Sequence, residues 1–556
     1  MQSLLDELSK IFKGDILTDQ SVLDEYSHDA SIYELAPQAV LEPVDSNDIQ
    51  KLIRFVYEHK HLYPSLSITP RSAGSDMSGG AVGDSLVIDM TKHFSKIYDV
   101  SSSHIHTQPG VFMRDIDKEL LLHDAMLGFV PASRSLCTIG GMIANNSAGE
   151  QSLRYGNADK SVRELKVILA DGNEYDFRPL NRRELNLKMD QQDFEGEIYR
   201  RVYKLIEKNY DAIKNARPKT NKNSMGYNLW SVWDKATGIF DMTQLFTGSQ
   251  GTLGIITDIK VNAVPKAKHS GLLLIYLNNL KQLGDIIPAV MNHKPATFEG
   301  FDDITFNLGI KYFGTLKKQL GLKEWTKQQL WLLGSVAKFK GHLPSMLLMA
   351  EFDGDNPEDI YDKILNLQND LKRQKIKVRT EIEGNEASSA PFWSIRRAAL
   401  SLLRNQIHDK YAAAFMDDMS VLPKYAPQFL PKVRKIIRKY KLPATIQGHL
   451  GDGNFHIFPL IDINKSDELA KLEPAMRELI PIVLSYGGTM AGEHNDGMVR
   501  GPWLPAVFGD EMYHMFKDTK EIFDPHYIFN PNKKTDASWD FSMNHIRTSN
   551  RRNLYK

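Results

Sequence analysis

Three imidazoles and a carboxylate fall in two short, glycine-punctuated segments of this 556-residue chain: His449-Leu-Gly-Asp-Gly-Asn-Phe-His456 and Gly492-Glu493-His494. Imidazole nitrogens and a carboxylate oxygen are the donors that a borderline divalent metal takes, and a further imidazole beside such a site can serve as a base. A seven-residue offset suits one face of a helix, but Gly451-Asp452-Gly453 lies between His449 and His456 and disfavours helix. A strand–turn–strand is the better reading. Ala444-Thr-Ile-Gln447 enters, Phe455-His-Ile-Phe458 leaves, and the turn brings both rings to one point. The plain alternative is a hairpin with two ordinary half-buried histidines.

Such a site needs a large scaffold, and 556 residues allow two to four domains. Lys+Arg and Asp+Glu both number 69, so no global field recruits nucleic acid or an anionic membrane. Cys137 is the only cysteine, which excludes a disulfide framework, a cysteine-ligated zinc and an iron–sulfur cluster held by this chain alone. It also accords with a reducing compartment. The first twelve residues read as a short amphipathic helix without the basic and apolar regions of a signal peptide. No run approaches 18 apolar residues, so no transmembrane segment is expected. The expected location is the cytoplasm, with peripheral association at the inner membrane face allowed by a basic tail holding Arg547, Arg551, Arg552 and Lys556.

From residue 39 strands and helices alternate. Ala39–Leu41 reads as a strand, Ser46 as the cap of a helix carrying Ile49, Leu52, Ile53 and Val56, Leu66–Thr69 and Leu86–Met90 as further strands. Between the last two runs a loop with Gly74, Gly79, Gly80 and Gly83, where backbone amides can converge on an anion. Gly80-Ala81 occupy the places where a P-loop needs Lys and Ser/Thr, and no Gly-x-Gly-x-x-Gly follows a strand. Nucleoside triphosphate hydrolysis and the ordinary nicotinamide fingerprint are thereby disfavoured. Two more segments, Pro131–Gly149 running on to Tyr155-Gly156, and Leu245–Thr257, are dense in Gly, Ser, Thr and Asn. Backbone and hydroxyl donors packed this way suit a long ligand with phosphates, sugar hydroxyls and a heteroaromatic ring.

Beyond about residue 266 strands (Leu272–Leu277, Met346–Phe352, Val378–Ile382, Ala412–Met416) alternate with helices (Pro357–Arg373, Ala390–Leu403, Ala426–Tyr440, Asp467–Tyr486), which predicts a second α+β domain with an antiparallel sheet. The histidine segments lie inside it.

Taken in order, these motifs resemble the vanillyl-alcohol-oxidase-type FAD family, and within it the FAD-linked D-2-hydroxy-acid dehydrogenases: D-lactate dehydrogenase, the glycolate oxidase flavin subunit and D-2-hydroxyglutarate dehydrogenase. The resemblance runs from about residue 35 to 534. It implies an α+β fold: a two-subdomain FAD-binding domain and an α+β cap with an antiparallel sheet. The expected division is a helical lead-in (1–34), FAD domain (35–265), cap (266–515), C-terminal return (516–535) and tail (536–556).

The resemblance assigns the first loop, Arg71, Ser72, Ala73, Gly74, Ser75, Asp76, Ser78 and Gly79, to the pyrophosphate. It lays Pro131, Thr138, Gly140, Gly141, Asn145, Ser147, Ala148, Gly149, Tyr155 and Gly156 along the ribityl chain and flavin, closes the site with Gly251, Gly254, Ile255 and Ile256, and returns Asn530 to the cofactor. This chain departs from the family's usual pattern at Ser75-Asp76, Gln250 and Asn532. Residues 70–84 hold no histidine, so FAD is expected to be non-covalent, with Cys137 a packed apolar residue rather than a flavin link.

In metal-using relatives the matching positions, His449, His456 and Glu493, bind a divalent ion, expected here to be zinc, with manganese or iron as alternatives. Two imidazoles and a carboxylate leave open positions for the substrate hydroxyl and carboxylate. The cation eases loss of the hydroxyl proton, His494 with an unperturbed pKa near ~6.5 suits the base, and Arg396 matches the arginine that grips the substrate carboxylate. Hydride from C2 to flavin N5 would then give a 2-keto acid. Electrons would pass to an acceptor other than NAD: a quinone, a cytochrome, electron-transfer flavoprotein or a separate iron–sulfur protein. A homodimer is compatible with this reading. The competing readings are non-redox chemistry like that of alkyl-dihydroxyacetone-phosphate synthase, a glycolate-oxidase-type subunit of a larger complex, and a flavin-free scaffold.

Overall fold

Ala39–Glu42 and Leu86–Asp89 are buried at every position, so each strand must be covered on both faces. Parallel pairing under helices provides that cover. The structure, a computed structural model, describes residues 2–305, 307, 344–406 and 410–547. In it these two strands are the centre of a four-stranded sheet ordered Asp15–Leu17, Ala39–Glu42, Leu86–Asp89, Ile68–Arg71, with only the first pair antiparallel. The helix Ser46–His59 lays Ile49, Leu52, Ile53 and Val56 on the core. Its cap is Asp45, not the expected Ser46: the Asp45 carboxylate accepts the Asp48 N–H at 2.9 Å, while the Ser46 hydroxyl donates to Glu174. Asp45 has the extended backbone that a cap requires.

The strand expected at Leu66–Thr69 sits two residues later, at Ile68–Arg71. Ile68 also bridges in parallel to Phe529, and its carbonyl accepts the Asn530 N–H. The C-terminal return is thus pinned beside the glycine loop that follows this strand.

A second, antiparallel sheet runs Ile97–Val100, His104–Thr107, Ile255–Asn262, Val162–Ile168, Glu174–Phe177. Its strand Ile255–Asn262 alternates buried and half-buried residues, the signature of one covered face. The third sheet is antiparallel as expected: Arg379–Glu383, His269–Leu277, Met346–Gly354, Thr297–Asp302, Ala444–His449, Asn454–Ile461, Tyr411–Ala412, with Met419–Ser420 also paired to Asn454–Ile461. The helix Pro357–Arg373 buries Ile360, Ile364, Leu367 and Leu371.

Two expectations for this region need correction. The strand predicted over Ala412–Met416 stops at Ala412. Arg500 Nη2 takes the carbonyls of Ala414 and Asp417, each at 2.9 Å, and Asp418 adopts φ +71°, so this stretch turns out of the ladder. The helix predicted over Asp467–Tyr486 is two helices, Ser466–Leu469 and Leu472–Ser485. No helix among the described residues is long and apolar enough to cross a membrane. Arg551, Arg552 and Lys556 lie outside the described residues.

Candidate active site

The hairpin Ala444–His449/Asn454–Ile461 pairs Gln447 with His456 and His449 with Asn454. Paired residues share a face, and positions two apart on one strand do too, so both imidazoles project from the same side. The turn needs glycine at Gly453: φ is +68° and a Cβ there would meet the Val421 carbonyl at 1.9 Å.

Each ring is held at Nδ1. His449 Nδ1 lies 2.6 Å from Glu299 Oε1, and His456 Nδ1 lies 3.0 Å from Asp417 Oδ1. His494 Nδ1 lies 2.5 Å from the other Asp417 oxygen. All three Nε2 atoms then face one atom, Glu493 Oε1, at 3.3, 3.2 and 3.7 Å. The ligand atoms of His449, His456 and Glu493 lie within 4.8 Å of one another, and all three residues are buried. Asp417, His456 and His494 form an overlapping second group. Asp418 fixes the backbone, accepting the N–H of Glu493 at 2.9 Å and of His494 at 2.6 Å, while Asn454 donates to Asp418.

The cluster is strongly polarised. Against the cost of burial, His449 and Arg396 hold Glu299 down to about 2, and Glu299 holds His449 up to about 9. Burial likewise opposes charge on His494, yet Asp417 and Asp418 raise it to about 10. The expected base is therefore a cation at neutral pH in the metal-free protein, not the half-neutral imidazole that an unperturbed value suggests. A divalent cation nearby acts in the opposite direction. Two nitrogens and an oxygen, each anchored from behind, make a donor set that fits such an ion.

Arg396 is buried at 6 % exposure. Its Nε and Nη2 lie 3.1 and 2.9 Å from Glu299 Oε2, and Nη1 donates to Gln447. The neighbouring Arg397 points elsewhere, forming a paired contact with Glu150 at 2.8 and 2.7 Å.

The glycine-rich segments converge on a second centre. Asp76 accepts from Ser78 N, Ser78 Oγ and Gly80 N, and Asn145 Nδ2 donates to its other oxygen at 2.8 Å. Gln250 donates to Ser78 and Asn145 and accepts the Gly497 N–H. Asn530 Nδ2 donates to the carbonyls of Gly80 and Gln250. Arg71 reaches the Ala81 carbonyl, and residues 72–75, including Gly74 at φ +64°, form a half-buried arc. Gly79 packs on Tyr33, and Gly251 (φ +68°) packs so tightly on Pro70 that a Cβ would come within 2.3 Å.

Thr138 precedes the helix Ile139–Asn145, which contains Gly140 and Gly141. The nearest atoms that a Cβ on Gly141 would meet belong to Ser72 and the Thr138 hydroxyl, at 3.4–3.9 Å, an ordinary contact distance. That hydroxyl is buried and has no partner among the described residues. An open cradle with an orphaned donor fits a polar ligand such as FAD. Ser147, Ala148 and Gly149 are buried beyond the helix, with Pro131 beside Gly149. Tyr155 and Gly156 instead sit against Gly128 and Lys160, and Gly254, Ile255 and Ile256 lead into the second sheet.

The two centres are joined. Asn495, next to His494, donates to the carbonyls of Asn145 and Gly248, and Asn157 donates to the Gly492 carbonyl.

An FAD binding domain model matches residues 37–178, and the model for the C-terminal domain of FAD linked oxidases matches 266–534. The chain belongs to the FAD-linked oxidase family. The chain is 26 % identical over 533 residues to D-2-hydroxyglutarate dehydrogenase of Pseudomonas putida, covering 94 % of the chain and 50 % of that relative. It thus spans about half the length of the curated relatives it matches first. It is 26 % identical to glycolate oxidase subunit GlcD of Bacillus subtilis, covering 91 % of each, and 23 % identical to D-lactate dehydrogenase of Anaerostipes hadrus, covering 95 % and 96 %. Its fold is that of p-cresol methylhydroxylase, with a TM-score of 0.66 at 15 % identity, covering 97 % and 98 %. Alkyldihydroxyacetonephosphate synthase gives 0.64 at 15 % identity, covering 96 % and 86 %.

Sequence reasoning missed Glu299, Asp417, Asp418 and Lys222, whose ammonium lies 3.1 Å from Glu493 Oε2. The first three carry a signal of sorts, as acids inside apolar runs: Thr297-Phe-Glu299-Gly-Phe and Phe415-Met-Asp417-Asp418-Met. Lys222 stands in a polar loop and carries none.

Proposed function

We propose that this FAD-linked oxidase oxidises a D-2-hydroxy acid, D-lactate-like in kind, to the 2-keto acid. The observation that carries the reading is the convergence of three Nε2 atoms on Glu493 Oε1 at a hairpin joined to the glycine-rich segments. FAD, when bound without a covalent link by the Asp76 loop, the Thr138–Gly149 stretch, Gly251–Ile256 and Asn530, supplies a two-electron acceptor for the hydride from substrate C2. His449, His456 and Glu493 would hold a divalent ion, zinc or else manganese or iron, which supplies Lewis acidity toward the hydroxyl.

His494 receives the hydroxyl proton at Nε2, while Asp417 keeps Nδ1 protonated and the ring oriented. Arg396, fixed by Glu299, turns its remaining N–H groups to the substrate carboxylate. Burial of His449, His456 and Glu493 keeps bulk water from the reacting centre. Electrons leave to an acceptor other than NAD: a quinone, a cytochrome, electron-transfer flavoprotein or a separate iron–sulfur protein. Because the chain spans about half of the D-2-hydroxyglutarate dehydrogenases it matches, action as one subunit of a larger assembly is the second form of the same proposal.

The test is a panel of D- and L-2-hydroxy acids mixed anaerobically with the yellow protein. Bleaching by D-isomers, with dye reduction on turnover, is the expected result. A flavoprotein that no hydroxy acid bleaches would turn the reading toward non-redox chemistry of the synthase kind, and a colourless protein toward a scaffold.

A further inference from the structure

Glu493 divides its two oxygens. Oε1 faces the three Nε2 atoms, whereas Oε2 lies 3.1 Å from the ammonium of Lys222. The Lys222 side chain is fully buried, and its Nζ also lies 3.5 Å from Asp452 in the hairpin turn and 3.3 Å from the Gly149 carbonyl. One ammonium has three N–H groups, and here three oxygens from three separate segments surround it. One belongs to a residue in the metal-type triad, one to the turn that shapes the hairpin, and one to the stretch assigned to the flavin.

We propose that Lys222 is a positioning residue that keeps Glu493 a one-oxygen ligand and weakens the pocket's grip on a divalent cation. This rests on the metal reading above. The physical reason is twofold. With Oε2 engaged, only Oε1 is free for an ion. A positive charge this close, in a buried setting, also repels a second cation. An open coordination position for the substrate then survives, which a two-oxygen carboxylate would fill. Through Gly149, loss of Lys222 also reaches the flavin stretch.

The measurement is Zn²⁺ affinity of the full-length, FAD-loaded protein by chelator competition, with the Co²⁺ visible spectrum as the report of coordination. Lys222→Met is expected to bind Zn²⁺ at least about tenfold more tightly than wild type, and its Co²⁺ band should weaken as the coordination number rises. Lys222→Arg should keep wild-type affinity. Damage to the site would lower affinity, so the sign separates this role from a merely structural one. Equal or weaker Zn²⁺ binding by Lys222→Met, or an unchanged Co²⁺ spectrum, overturns the inference. Should Lys222→Met not fold, Asp452→Asn decides. It removes a negative charge and leaves Lys222 to Glu493 and the Gly149 carbonyl, so binding should weaken roughly threefold to tenfold, and unchanged or tighter binding overturns the inference. A wild-type protein that binds neither Zn²⁺ nor Co²⁺ instead removes the metal reading itself.

Discussion

Asp417 Oδ2 lies 2.5 Å from His494 Nδ1, and the same carboxylate reaches His456 Nδ1 with its other oxygen at 3.0 Å. One buried acid therefore sets the ring orientation of the proposed base and of a proposed metal ligand together. Both rings turn Nε2 toward Glu493 as a result.

Asp417→Asn should slow substrate-dependent flavin reduction by roughly 10²–10⁴-fold, the range of a lost or misoriented general base. His494→Ala should do the same, with substrate affinity changing far less than rate. Anaerobic stopped-flow of flavin bleaching measures both. Wild-type rates in either variant would take the proton transfer away from this dyad.

Chelation or His449→Ala should abolish bleaching while the flavin stays bound, since His449 is anchored by Glu299 in the third sheet and not by the glycine-rich segments. Glu299→Gln weakens the anchor without removing the ligand. It should lower metal affinity or activity about 10- to 100-fold. Full activity after complete demetallation would reduce the histidines to substrate-binding or structural roles.

Asp76 receives four hydrogen bonds from Ser78, Gly80 and Asn145. Asp76→Ala should release the loop, lowering FAD content on purification and costing roughly 1–3 kcal/mol of stability. The flavin-to-protein absorbance ratio and thermal unfolding read this out. Undiminished FAD binding would show that the loop is held by its glycines alone.

Burial pushes the Cys137 thiol up to about 11. Below that pH the thiol stays protonated, so alkylation of the native protein should be slow at pH 7–8 and accelerate about tenfold per pH unit as pH rises toward it. Denaturation should expose it at once, and the same treatment should release all the flavin. Flavin that stays with the chain after denaturation would mean a covalent link.

The sequence by itself determined the parts whose cause is local. Gly451-Asp452-Gly453 breaks helix and forces a hairpin, and the spacing of Ile49, Leu52, Ile53 and Val56 dictates a helix with one covered face. Likewise the donor types at His449, His456, Glu493 and His494 limit the chemistry whatever surrounds them. Only the tertiary structure decided what stands behind those donors. Glu299, Asp417, Asp418 and Lys222 come from segments 39 to 271 residues away from the His449, His456, Glu493 and His494 groups they hold. No periodicity or motif encodes such distances, because the pairings are made when sheet register and domain packing bring remote side chains into one low-dielectric space. There, in the metal-free protein, Asp417 and Asp418 move His494 from an ordinary imidazole to one whose pKa is raised to about 10, a change that residue type alone does not contain.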